Sequence, residues 1–226
     1  MTKVPGKRVA APPSTPAADA DGDTEKRILD AARTVFVRRG TSGARMQEIA
    51  AEAGVNQALL HYYFRSKDRL AQAIFREAAG RLLPAVARVL GADDLSLEEK
   101  VQRFVHLYID TVRQNPFLPG YILAELHQHP QRLAALQEAV GMQPALLAGA
   151  LIERLGAQLR ERAAAGTMRP IAPEQFVVNL LALSVFPFAA RPLLHVAFRL
   201  DDAGFERFLD ARRAELPGFI LAALRP

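Results

Sequence analysis

The sequence predicts an all-α protein, and two observations carry that expectation. Apolar residues recur at i, i+3, i+4 and i+7 in one segment after another, the repeat of a helix with one buried face. No stretch alternates apolar and polar residues with period two, so no strand is expected, and no internal repeat is visible. With 226 residues, half of them hydrophobic, the chain is long enough to bury a substantial core. The run Arg45–Lys67, RMQEIAAEAGVNQALLHYYFRSK, folds two short helical patterns about one glycine and separates a small front part from a larger back part.

The elements follow in order. Met1–Asp23 is rich in Pro, Ala and Asp and lacks the apolar stretch of a signal peptide, so it reads as a disordered tail. Its Lys3, Lys7 and Arg8 leave two roles open, a passive tail or a basic arm that touches a DNA groove. Asp23 or Thr24 is expected to cap a first helix that buries Ile28, Ala32, Val35 and Phe36 and stops at Gly40. Met46, Ile49 and Ala50 mark the inner side of a short second helix. Gly54 suits a tight corner because it tolerates φ > 0, and Asn56 sits where an N-cap belongs. Leu60, Tyr63 and Phe64 give the third helix its inner side. Ser66-Lys67-Asp68 opens a fourth helix with Leu70, Ile74, Leu82 and Val86 on one face, which Pro84 is expected to kink or interrupt.

In the back part, Ser96-Leu97-Glu98-Glu99 is a capping box. The helix it starts has Leu97, Val101, Phe104, Val105, Tyr108 and Val112 on its inner face and ends at Asn115-Pro116. Shorter helical segments are expected near Phe117–His127 and Gln131–Val140. Pro144 opens a longer helix carrying Leu147, Leu151, Leu155 and Leu159 and ending at Gly166. Pro173 opens an unusually apolar helix from Glu174 to about Phe188, expected to be broken by Pro187 and Pro192. The last segment, Phe205–Leu224, is expected to be divided at Pro217. The longest uncharged stretch here, Gln175–Ala190, has 16 residues and contains Asn179 and Pro187, which is short for a membrane span.

Composition closes several routes to catalysis. The absence of cysteine excludes disulfides, thiolate nucleophiles and Cys-based metal sites, and is consistent with a cytoplasmic protein. There is no glycine-rich phosphate loop and no HExxH, and the histidines stand without motif partners. His127 and His129 flank Gln128, a spacing that does not place both side chains on one helix face, so no metal and no cofactor is expected. The net charge of +5 is unevenly spread. From Thr24 to Gly80 there are ten Lys/Arg against six Asp/Glu, whereas Met1–Asp23 is neutral and the rest of the chain carries only one excess positive charge. The positive excess therefore lies in the segment holding the paired short helices, as binding to phosphates requires.

Two helices set at a steep angle across a short turn form a helix-turn-helix, whose second helix enters the major groove of DNA. The order of features from Thr24 to Leu70 goes further. The helix Ile28–Arg39 and Gly40 are followed by Glu48-Ile49-Ala50, Gly54-Val55, Leu60, His61-Tyr62-Tyr63-Phe64 and Ser66-Lys67-Asp68-x-Leu70. This series resembles the N-terminal DNA-binding domain of the TetR family of transcriptional repressors. The resemblance implies three divisions: an N-terminal arm over residues 1–23, a three-helix DNA-binding domain over 24–70 with its motif at 45–64, and a helical ligand-binding and dimerisation domain over 71–226. It implies that Gln57, Ala58 and Leu59 face base edges, with Gln47 reaching in from the helix before. Gln suits adenine, and Ala and Leu suit a thymine methyl. By the same resemblance Asn56, His61 and Tyr62 lie at the DNA and Lys67 meets a phosphate.

The chain departs from the family pattern at two positions. Arg45 stands where Thr or Ser usually caps the first motif helix; it cannot accept a hydrogen bond but can bind phosphate directly. His61 stands where Tyr is usual, with a shorter reach. The implied partners are a palindromic operator in double-stranded DNA, a small-molecule effector and a second copy of the chain, with no membrane. No motif fixes the effector pocket. Phe104, Tyr108, Phe117, Tyr121, Phe186 and Phe188 are the candidate lining by aromatic character. The candidate dimer interface is the apolar Glu174–Phe188 helix and the last segment, with Phe205, Phe208, Leu209, Leu216, Phe219 and Ile220. The rival reading is a helical carrier or enzyme that keeps the fold without operator binding.

Overall fold

The computed structural model describes residues 17–128 and 144–226. Ten helices and no strand occur among them. They are α1 (Ala17–Gly43), α2 (Met46–Ala53), α3 (Gln57–Tyr63), α4 (Lys67–Gly91), α5 (Leu97–Arg113), α6 (Leu118–Gln128), α7 (Pro144–Ala164), α8 (Pro173–Ala189), α9 (Arg191–Ala197) and α10 (Asp202–Ala222). The expected segment Gln131–Val140, His129 and the basic residues of the tail lie outside the described residues.

The apolar stripes close into two cores. The front core gathers Ile28, Ala32, Val35 and Phe36 of α1 with Ile49 and Ala50 of α2, Leu60 and Phe64 from the α3 region, and Leu70 and Ile74 of α4. The back core is built on α5, where every inner residue named from the sequence is buried, against Leu155 and Leu159 of α7, Phe176 and Leu180 of α8 and the inner side of α10. Fully burying one such side chain contributes about 1.5–3 kcal/mol. The boundary expected near residue 70 is bridged twice. Helix α4 runs through both cores, with Leu70 and Ile74 in the front one and Leu90 in the back one. The start of α6 is buried in the front core through Leu118 and Tyr121, and Phe117 packs on Phe36 at 5.2 Å between ring centroids. Arg33 reinforces this junction. Its Nε donates to Oδ1 of the buried Asn115 at 3.0 Å, and its guanidinium pairs with Asp30 and with Glu77 of α4.

Helix α1 starts earlier than the sequence suggests. Residues 17–23, assigned to a disordered tail, are helical. Their alanines favour helix, and the acidic residues of that stretch complement the positive end of the helix dipole. The Tyr63 hydroxyl donates to the Asp21 carboxylate, which ties this added length to α3. Gly40 adopts φ 67°, ψ 165°, a kink at the expected position, after which one further turn leads to Gly43. The capping box of α5 is present in both directions: Glu99 N–H donates to Ser96 Oγ at 3.2 Å and Ser96 N–H to Glu99 Oε2 at 3.0 Å. Hydrogen bonds donated to Glu99 Oε2 by the Ser96 N–H and the Ser96 hydroxyl hold the Glu99 carboxyl below its ordinary range.

The prolines do less damage than expected. Helix α4 continues through Pro84, α8 through Pro187 and α10 through Pro217. The chain breaks only after Ala189, where α9 sets off at 68° to α8 with Pro192 in its first turn. A proline inside a helix removes the N–H that would bond the carbonyl four residues earlier. For Pro187 that carbonyl belongs to Leu183, and Arg212 of α10 supplies the missing donors. Its Nε and Nη2 donate to Leu183 O at 3.1 and 2.8 Å. Desolvation at this site lowers the Arg212 pKa from its usual value. No single helix among the described residues is long and apolar enough to cross a membrane; α8 and α9 together approach the required length but are bent.

Two sets of residues expected to form functional surfaces instead belong to these cores. Phe104 and Tyr108 stack at 5.8 Å in the back core, while Tyr121 is buried with Phe117 in the front one, so these four do not line a common cavity. Burial pushes the Tyr108 phenol up from its ordinary value. Phe186 points outward at 56% exposure, although its neighbour Phe188 is buried. The proposed dimer face is corrected in the same way. Phe205, Leu209, Leu216 and Ile220 are 1–5% exposed and satisfied within the chain's own core, and Phe208 is half-buried against it. Of that set only Phe219 is open, at 63%. The error has a physical origin: periodicity identifies the apolar side of a helix but not whether that side meets the chain itself or a second one.

Replacing Arg212 by Met is expected to destabilise the protein by about 1–3 kcal/mol, the cost of a buried carbonyl left without a donor. In a Pro187→Ala background the backbone can supply that donor itself, so the same replacement should cost clearly less. Urea unfolding midpoints of the four proteins measure this coupling. Equal losses in both backgrounds would show that Arg212 does not compensate for the proline.

Candidate nucleic-acid interface

Local rules set the geometry of the α2–α3 pair. Helix α2 ends in a Schellman turn: Val55 N–H donates to Ala50 O at 3.0 Å and Gly54 N–H to Ala51 O at 3.2 Å. Gly54 takes φ 64°, ψ 33° to allow it, a conformation strained for any side chain with a Cβ. The chain then extends to Asn56, whose Oδ1 accepts from Leu59 N–H at 2.7 Å and starts α3. Leu60, fully buried, pins the short helix to the front core. Tyr63, expected on the inner side of α3, is only half-buried, as is Val55.

Pinning one side fixes what the other presents. Gln57, Ala58, Leu59, His61 and Tyr62 are all exposed, as are Gln47 and Arg45. Tyr62 stands out at 76% exposure, braced edge-on by Tyr63 at 5.4 Å. No Asp or Glu occurs from Gly54 to Lys67. The nearest acids on α2 are neutralised from α1: Glu52 pairs with Arg38, and Glu48 with Arg39 at 3.5 Å. The outer face of α3 therefore carries amide, imidazole, phenol and methyl groups without a carboxylate to repel phosphates.

Three expected contacts are sharpened by the structure. The Asn56 side-chain oxygen is engaged in capping, which leaves only its amide group outward. Arg45 makes no side-chain cap, as its chemistry requires, yet half of a capping box survives because its own N–H donates to Glu48 Oε2 at 3.3 Å. Lys67 is engaged inside the protein. Its Nζ donates to Ser42 O at 2.7 Å and to Ala44 O at 3.2 Å, so it clamps the start of α4 to the end of α1 and the loop that follows. Two of its three donors are thereby used. Two exposed cations next to α3 were not singled out from the sequence: Arg65, just beyond its end, and Arg69 in the first turn of α4. The local positive balance was their only signal, and it does not distinguish one cation from another.

An all-helical body carrying a capped helix-turn-helix, with an exposed and acid-free second helix, defines a helix-turn-helix protein of the DNA-reading class. Residues 28–74 match the family model for bacterial regulatory proteins of the tetR family. That stretch of the chain is similar to the DNA-binding segment of TetR-family regulators. Its curated relatives include the HTH-type transcriptional regulator BetI of Rhizobium meliloti (strain 1021), 36% identical over 102 residues, or 45% of this chain and 48% of the relative. The HTH-type transcriptional repressor NicS of Pseudomonas putida is 32% identical over 134 residues, or 56% of this chain and 63% of the relative. The fold is similar to that of the ketosteroid transcriptional regulator KstR2 of Mycobacterium tuberculosis, with a TM-score of 0.64 at 14% identity over 89% of this chain and 95% of that one. The chain spans about half to just under two thirds of the length of these curated relatives.

Asn56→Ala is expected to lower stability by about 1 kcal/mol through loss of the cap, whereas Asn56→Asp, an equally good cap, should leave it near wild type. Denaturant unfolding measures both. An alanine variant as stable as wild type would mean that the cap does not hold α3.

Proposed function

We propose that the protein is a homodimeric transcriptional regulator that reads a palindromic DNA operator through α3 and is released from it by a small, largely apolar ligand. The observation that carries this reading is the exposed, capped and acid-free outer face of α3. Gln57 and Gln47 supply amides suited to adenine, and Ala58 and Leu59 supply apolar contact to thymine methyls. Arg45, Arg65 and Arg69 are the phosphate-binding cations, with Tyr62 beside them. Lys67 acts chiefly by holding α4 to the end of α1 and the loop that follows, and only secondarily as a phosphate ligand. The relative NicS is named as a repressor, which favours repression as the direction of control.

A single seven-residue helix reads few base pairs, so a second copy is needed. The surface proposed for it is the outward side of α8, where Val178, Leu181 and Phe186 are open; Phe219 of α10 is open as well. Apolar residues so grouped on one face usually meet a partner. The two reading helices would then face successive major grooves about 34–36 Å apart.

Gel-shift titration with DNA flanking the protein's own gene is expected to show sequence-preferring binding that weakens steeply with salt. Gln57→Ala should relax the preference, while Arg45→Ala should weaken binding to all sequences alike and lower the salt slope by about 1. Asn56→Asp should fold normally yet bind DNA poorly. Sedimentation should give a dimer that Leu181→Glu dissociates. Binding without sequence preference, or none at all, would overturn the reading.

A further inference from the structure

A groove of about 500 Å³ runs between the end of α1, the start of α6 and the bend between α8 and α9. Its volume falls within the range of small-molecule sites. It lies at the junction of the two cores and not inside the back one. Phe36, Phe117, Tyr121 and Phe188 give it an aromatic lining. Arg38, Arg39 and Arg191 also line it, and among the described side chains no Asp or Glu does. An aromatic lining bordered by three arginines, whose guanidinium groups now pair outside the groove, suits an anionic aromatic occupant, so we propose that this groove binds a small aromatic monocarboxylate when Arg38 and Arg39 turn toward it. The ring would lie against the phenyl groups, and the carboxylate would accept from an arginine fork.

The partners these arginines now have suggest what occupancy would do. Arg38 and Arg39 also border a second groove on the far side, where they pair with Glu52 and Glu48 of α2. Both pairs are solvent-exposed and so contribute about 0–1 kcal/mol each. A carboxylate held beside aromatic rings competes with them on better than equal terms, because partial desolvation strengthens its hydrogen bonds. Arg191 is held more firmly, by Asp202 at 2.8 Å and over the Phe205 ring at 5.1 Å, and anchors the opposite wall. Drawing Arg38 and Arg39 into the groove frees α2 from α1. The groove also includes Thr41 and Ser42, and Ser42 supplies a carbonyl to the Lys67 clamp. Occupancy therefore acts on the two contacts that set the angle of the reading helices. This consequence for DNA rests on the proposed function, whereas the binding site itself does not.

The test is calorimetric titration of the full chain with 2-naphthoate and with its uncharged counterpart, naphthalene-2-carboxamide. A saturable single site for naphthoate is expected, with the carboxamide at least about tenfold weaker. Gly120→Leu fills the groove from α6, where an added Cβ meets nothing within 4 Å, and should abolish naphthoate binding without changing the unfolding midpoint. The double variant Arg38→Gln, Arg39→Gln should weaken naphthoate by at least about tenfold and leave the carboxamide unchanged. No saturable binding up to about 1 mM, equal affinity for the two compounds, or undiminished binding in Gly120→Leu would each overturn the proposal. Gel shifts with and without naphthoate separate the two claims. Absence of DNA binding in the free protein overturns the proposed function alone. Ligand binding that leaves the DNA affinity unchanged overturns the coupling through Arg38 and Arg39.

Discussion

Arg33 sits where three parts of the chain meet, and the attitude of the reading head toward the body depends on it. It projects from α1, the helix that carries most of the front core. Its Nε bonds Asn115 in the turn between α5 and α6, and its guanidinium pairs with Glu77 on α4. Asn115 is only 7% exposed, so its side-chain oxygen would lack a ready water partner without this donor. The geometry also explains why α6 starts where it does. With the α5–α6 turn tied to α1, Phe117 is carried onto Phe36 and Leu118 into the front core. The head is thereby packed into the body at two places, along α4 and under α6.

Much of this was legible in the sequence wherever a local rule acts by itself. The corner at Gly54, the Asn56 cap, the α5 capping box and the buried stripe of α5 all depend on residues within one or two turns, and each formed as expected. The outer face of α3 was readable for the same reason, since Leu60 and Phe64 fix its inner face. The failures come from contacts between residues far apart in the chain. Pro187 read alone is a helix breaker; beside Arg212 it is tolerated. Lys67 read alone is a surface cation; beside the carbonyls of Ser42 and Ala44 it is a clamp. The inner face of α10 read alone suited a second copy of the chain, yet α5 and α8 already cover it.

The two kinds of failure have different consequences for the site. Losing Phe205, Leu209, Leu216 and Ile220 as an interface leaves the proposed second copy untouched, because the argument for it rests on the shortness of α3. It leaves α8, the other candidate read from the sequence, as the proposed surface, through its outward side. Losing Phe104 and Tyr108 as members of one cavity with Phe117 and Tyr121 has a larger effect. The aromatic residues separate between two cores, and the members of the front group, together with Phe188, border a groove at the junction.

That location makes control of the reading head a matter of small energies. A ligand shifts a conformational equilibrium only by the difference in its affinity for the two states. A compound enclosed deep in the back core would have to act on α3 through α4 or α6, across well-packed side chains that resist displacement. A compound at the junction would touch α1 directly, beside Gly40, whose kink already interrupts the helix. The contacts it must alter are two exposed ion pairs and a clamp made of two hydrogen bonds, not a buried core. Their combined worth is about 1–5 kcal/mol, a range that includes the 1–3 kcal/mol typical of coupling between sites. The front core remains intact throughout, because Ile28, Phe36, Leu60 and Leu70 take no part in those contacts. The reading helices would change their angle without unfolding, which a reversible regulator requires.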